Sequence, residues 1–125
     1  MLRGVGVDIV EIERIRDLAR TEGPRFLERV FTPGEIAYCT AKHDAALHFA
    51  ARFAAKEAVS KALATGWSGV FRWKDVEVSN DDSGRPRVVL HGRLQELLPA
   101  ASVLVSISHS ASHAVAMALI EEEAQ

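Results

Sequence analysis

The run DAALHFAARFAAKEAVSKALAT, residues 44–65, narrows most what this chain can become, because it reads as one long, alanine-rich helix. At about 100° per residue, Ala51, Ala55, Ala58, Val59 and Ala62 fill one arc. Arg52, Lys56, Ser60, Glu57 and Lys61 follow one another round the other. Such a helix is wedged against protein on one side and carries chemistry on the other. The chemical side is itself only partly wet, since Ala50, Phe53, Ala54 and Ala64 lie within about a turn of Glu57. Two readings of Glu57 and Lys61 follow. As an i,i+4 pair in the favourable order they form a surface ion pair worth about 0.3–0.5 kcal/mol. As part of a clustered arc they could hold a metal ion at Glu57 and an anion at Arg52, Lys56 or Lys61.

A helix of this kind needs a core around it, and 125 residues suit one domain, residues 1–125. With 48% hydrophobic and 26% charged residues the composition is ordinary globular, and a net charge of −2 offers no global attraction to nucleic acid or an anionic membrane. A single cysteine, Cys39, excludes an intramolecular disulfide framework, and MLRGVGVDIV lacks the regions of a signal peptide. A reducing, cytoplasmic setting is the expectation. No apolar run approaches the ~20 residues of a membrane span.

In LRGVGVDIV, residues 2–10, Val5, Val7 and Ile9 point one way while Gly4, Gly6 and Asp8 point the other. Glycines in a strand let a ligand or another backbone come close, here beside a carboxylate. Equally, Asp8 with Glu11 fits a capping-box variant at the start of a helix over IVEIERIRDLAR. That helix breaks at Gly23 and Pro24, and a shorter one carries Phe26, Leu27, Val30 and Phe31. The arginines of the two helices, Arg14, Arg16, Arg20, Arg25 and Arg29, are interleaved with five acids, which is a solvated face rather than a nucleic-acid patch. In FTPGEIAYC, Thr32 caps, Pro33 takes the first turn and Glu35 completes the box, a structural role.

Beyond the long helix, Gly66 is a natural stop, and Trp67 and Trp73 are packing residues in a turn-rich connection. DVEVS and RPRVVL make a hairpin over NDDSG, and HGRLQELLPA is a short helix packed through Leu94, Leu97 and Leu98. SVLVSIS and HAVAMALI close the chain as two strands, with His109 at the end of the first and His113 in the turn. These elements predict an α+β domain, its long central helix packed on a small, mainly antiparallel sheet from residues near 3–9, 75–79, 86–90, 102–109 and 113–120.

GVGVDIVEIERI, FTPGE, RFAAKEAVSKAL and VSISHSASHAVAMAL, in that order and at these separations, resemble the bacterial holo-acyl-carrier-protein synthases. The resemblance implies a 4'-phosphopantetheinyl transferase fold. It implies an enzyme that moves the phosphopantetheine arm of coenzyme A onto a serine of apo-acyl carrier protein, releases adenosine 3',5'-bisphosphate, depends on magnesium and supports fatty acid biosynthesis. By motif, Asp8 and Glu57 would be the magnesium ligands and Lys61 would face the diphosphate. Arg52 and His109 would serve the nucleotide end with its 3'-phosphate, and Arg14 would help dock the acidic carrier. A homotrimer is also implied, with Asp8, Glu57 and Lys61 from one chain facing His109 and Arg52 from the next. Two departures stand out: ARTEGPRF is less basic than in many relatives, and HSASHA carries an additional histidine.

Two other function classes fit the same residues. Two carboxylates and a lysine suit magnesium-dependent phosphodiester hydrolysis, and the arginine-bearing helix suits a non-catalytic oligomeric module for an acidic protein or RNA.

Overall fold

A computed structural model describes residues 1–63 and 71–123. Strand β1, Leu2–Glu11, leads into helices α1 (Ile12–Glu22), α2 (Pro24–Val30) and α3 (Pro33–Thr40), and then the long α4 (Ala45–Leu63). A 3₁₀ turn at Trp73–Asp75 opens the second half. Strands β2 (Val76–Asn80) and β3 (Pro86–Leu90), helix α5 (Gly92–Leu97) and strands β4 (Ala101–His109) and β5 (His113–Glu122) follow. The α+β architecture and antiparallel pairing are as the sequence predicts, but the five strands form two sheets, β1-β5-β4 and β2-β3. A cleft of about 590 Å³, lined by Arg87, Val89 and Val105 among others, lies between β3 and β4. Gly66 and Trp67 lie outside the described residues.

Helix α4 is buried on most of its circumference because its alanines meet equally small residues on the sheet. In register across the inner face, Gly4 stands opposite Ile120, Gly6 opposite Ala118 and Asp8 opposite Ala116. A Cβ on Gly6 would lie 2.7 Å from Ala62 N and nearer still to Ala58 O, and one on Gly4 would meet Ala62 O. The two glycines therefore admit the backbone of α4, so that a helix and a strand touch main chain to main chain.

The outer face of the same sheet is apolar. Val5, Val7, Ile9, Leu104 and Met117 are each between 46% and 65% exposed, and Leu119 joins Val5 to Leu104 across the ladder. The alternation read from β1 holds, and the unburied apolar surface belongs to the sheet rather than to α4.

Asp8 is not a helix cap. The strand continues to Glu11, Ile12 N donates to Ser112 O at 2.9 Å, and no side chain caps α1. Pairing with β5 along this whole stretch outcompetes a local turn. At α3 the capping box forms, with Thr32 Oγ1 accepting from Glu35 N and Glu35 Oε1 accepting from Thr32 N. Its position beneath α4 gives Glu35 a second task. Oε1 pairs with Lys56 Nζ at 2.8 Å, and Oε2 accepts from Val78 N at 2.8 Å. The expected packing role of Trp73 also stands, with its ring stacked on Phe53 at 5.0 Å. Leu94 in α5 and Leu98 just after it are buried, whereas Leu97 is partly exposed. Among the described residues no helix is long and apolar enough to cross a membrane.

Candidate active site

Close contact between β1 and α4 brings Asp8 beside the second half of the helix. Lys61 Nζ donates to Asp8 Oδ1 at 2.9 Å and to Val7 O at 3.1 Å, with the Asp8 side chain only 14% exposed and that of Lys61 54% exposed. Lys61 thus joins the strand rather than forming the within-helix pair with Glu57 that periodicity offers. Glu57 is half-buried. Burial pushes its pKa above the usual carboxylate range and the charge of Asp8 pushes the same way, while Lys61 and Arg14 oppose them. Residues far apart in sequence, Asp8, Arg14, Glu57 and Lys61, are therefore electrostatically one cluster.

The other members of the arc behave differently. Lys56 is fully buried, bonded to the carbonyls of Trp73 and Val76 and paired with Glu35. Burial pulls its pKa down against the charge of Glu35. Its donors are committed to protein, so Lys56 is a structural bolt between α4, α3 and β2 and not an anion ligand. Arg52 is also buried, at 4% exposure, but without a carboxylate. Its guanidinium carbon lies 4.1 Å from the centre of the Tyr38 ring, Nη2 donates to Asn80 Oδ1 at 2.8 Å, and Nε is buried with no hydrogen-bond partner.

His109 is exposed at the end of β4 and lines a shallow cleft of about 400 Å³ with Ile12, Asp44 and Leu47. Both His109 and Arg52 act on His48. Burial, Arg52, Lys42 and His109 all lower the pKa of His48, with Asp44 opposing. Arg52 and His109 thus flank one cationic region, and Asp8, Glu57 and Lys61 form another. Five residues of helix separate Arg52 from Glu57, a rotation of about 140° that turns their side chains apart. Arg14, on α1, lies with the carboxylate half.

The profile of the 4'-phosphopantetheinyl transferase superfamily matches residues 4–118. The chain belongs to that superfamily. A holo-[acyl-carrier-protein] synthase of Koribacter versatilis is 44% identical over 125 residues, covering 98% of this chain and 100% of its own. Among solved structures, the holo-[acyl-carrier-protein] synthase of Neisseria meningitidis superposes with a TM-score of 0.88 at 30% identity, covering 98% of this chain and 100% of its own. The Helicobacter pylori synthase, solved in complex with coenzyme A, superposes at 0.82 with 33% identity, covering 94% and 99%. As a member of the superfamily the chain is an enzyme, a phosphopantetheinyl transferase.

The carboxylate half fits a hard divalent cation by the chemistry of its donors. Burial first and the charge of Asp8 second raise the pKa of Glu57, and a cation between the two acids would relieve their repulsion. Among the described residues no group of three or more His, Cys, Asp or Glu stands together as a metal cluster. Tyr38 and Asn80, which hold Arg52, were not legible beforehand. They lie 14 residues before it and 28 after it, and no periodicity joins them.

Proposed function

We propose that this transferase moves the 4'-phosphopantetheine group of coenzyme A to a serine of apo-acyl carrier protein, releasing adenosine 3',5'-bisphosphate. The observation that carries the reading is the Asp8–Glu57–Lys61 cluster at the contact of β1 and α4, in a chain matched over nearly its whole length. Asp8 and Glu57 are the proposed magnesium ligands. When bound there, the ion supplies positive charge to the diphosphate of coenzyme A. Lys61, half exposed and paired with Asp8, provides a second positive charge for the diphosphate and helps hold it in line for attack. Glu57 is the proposed acceptor of the serine proton. That proton passes through a water, because a carboxylate that also holds the ion is itself a weak base.

The nucleotide end falls to Arg52 and His109. A guanidinium that is 4% exposed, with only neutral partners, carries a charge that an incoming phosphate can satisfy. Arg14, on the exposed side of α1, is the proposed contact for the acidic carrier. Because the cationic and carboxylate halves face apart on one chain, and because the outer sheet face leaves large apolar side chains in water, the proposed assembly is a homotrimer. Copies of the chain cover that face and bring the cationic half of one to the carboxylate half of the next. The domain works in the cytoplasm, within fatty acid biosynthesis.

Incubation with magnesium, coenzyme A and apo-carrier protein tests the reading by mass spectrometry of the carrier. A gain equal to the phosphopantetheine arm supports it. Cleavage of coenzyme A with an unchanged carrier would instead mean phosphodiester hydrolysis, and no change in either would mean a binding module.

A further inference from the structure

Arg52 poses a physical problem of its own. Its charge lies 96% out of water, and among the described residues no carboxylate pairs with it. The charge is felt nearby, lowering the pKa of His48 and Lys56 and opposing the rise at Cys39. A long side chain with several rotatable bonds would not keep one orientation in such a place unless something fixed it. Two groups do so without neutralising it. The ring of Tyr38 lies against the guanidinium at 4.1 Å, and Asn80 Oδ1 accepts from Nη2 at 2.8 Å.

Asn80 is itself held. It ends β2, and its Nδ2 donates at 2.9 Å to the carbonyl of Gly84 across the hairpin turn. That turn is kept by Asp81, whose carboxylate accepts from the backbone N–H groups of Ser83 and Arg85, and by Gly84 at φ +88°. With Nδ2 committed to a carbonyl, Oδ1 is the atom that must face Arg52, so both hydrogen bonds agree on the orientation of the amide. The hairpin therefore presents a neutral oxygen, in a fixed place, to a buried cation.

We propose that Asn80 is the positioning residue of Arg52, holding the guanidinium against Tyr38 with its charge unspent so that it can receive the 3'-phosphate of coenzyme A. This rests on the nucleotide-end role of Arg52 proposed above. The choice of amide over acid is the chemical point. An aspartate here would give the same shape but pair with the guanidinium, and an incoming phosphate would then have to displace it or share the charge. A serine would remove the acceptor without adding a charge and release the orientation.

The test compares binding of coenzyme A and of 3'-dephospho-coenzyme A by titration calorimetry in magnesium buffer, for the wild-type protein, Asn80→Asp and Asn80→Ser. The wild type should prefer the 3'-phosphorylated ligand. In Asn80→Asp that preference should fall about tenfold or more, the order expected from losing a hydrogen bond to a charged group. In Asn80→Ser it should fall severalfold. Both variants should bind dephospho-coenzyme A as the wild type does, with kcat at saturating coenzyme A and the KM for carrier protein unchanged and only the KM for coenzyme A raised. A purely structural role would move both ligands and kcat together, and that result overturns the proposal. So does an unchanged preference in both variants while the wild type discriminates, which leaves the reading of Arg52 standing. A wild type indifferent to the 3'-phosphate overturns the Arg52 reading and this proposal with it.

Discussion

Replacing Gly6 with alanine is the sharpest probe of how β1 and α4 make the site. The added methyl would stand 2.7 Å from Ala62 N, where ordinary contact begins at 3.4 Å, and it would press harder on Ala58 O. The helix must retreat by at least about 0.7 Å at the first atom and by more than an ångström at the second. Neither neighbour can swing aside, because both are main chain inside α4. Overpacking of this kind costs about 3 kcal/mol, the upper part of the usual range. At about 4 °C per kcal/mol for a chain of this size, the melting temperature should drop by roughly 10 °C or more. The same retreat draws Glu57, next to Ala58, away from Asp8, two residues along from Gly6. A displacement of about 1 Å in a positioned site lowers turnover on the order of 10²-fold. Melting would be followed by circular dichroism and transfer assayed at a temperature where the variant remains folded. A Gly6→Ala protein that melts within about 2 °C of wild type and turns over normally would show that close approach is not what the glycine provides.

Three further outcomes are expected. The raised pKa of Glu57 means that ionising it costs the native state stability as pH rises past the ordinary glutamate value of about 4.3. Glu57→Gln should therefore raise the melting temperature of magnesium-free protein near neutrality, lose that gain below about pH 4, and abolish the further rise that magnesium gives. A lower neutral melting temperature with the magnesium effect intact would contradict the assignment. Lys56→Met strands Glu35 as an unpaired buried carboxylate and should lower urea-derived stability by about 3–5 kcal/mol, with much of it recovered by adding Glu35→Gln. No recovery in the double variant would place the loss elsewhere. Arg14→Glu should raise the apparent KM for carrier protein most at low salt, with little change for coenzyme A. Equal effects on both substrates would point away from docking.

Much of the architecture was legible because the determining signals are local. Alternation marked Val5, Val7 and Ile9 as one face, the Thr32–Glu35 spacing marked a capping box, and the alanine-rich run marked α4. What escaped depends on distant chain. Lys56 and Lys61 stand on one polar arc of the helical wheel with nothing local to say which is buried, yet Glu35 and the carbonyls of Trp73 and Val76 bury one while Asp8 and solvent take the other. The glycines of β1 announced a close approach without saying whether a ligand or a backbone would arrive, and the backbone of Ala58 and Ala62 was the answer. Asp8 read equally well as cap or site residue until β5 paired along the strand and settled its place.

The order of the three-stranded sheet has a consequence for how the protein is made. Of the described elements, strand β1 leaves the ribosome before the rest, and the strand it pairs with, β5, leaves after them. At about 5–20 residues per second the interval between them is several seconds or more, during which the helices can form but β1 keeps an unpaired edge and an apolar face. The sheet closes only when the C-terminal hairpin arrives, a late step of high sequence separation that slows folding. A nascent chain stalled before residue 113 should therefore hold α4 without the main-chain interlock that places Asp8 beside Glu57, and should be a client for chaperones that bind exposed strands.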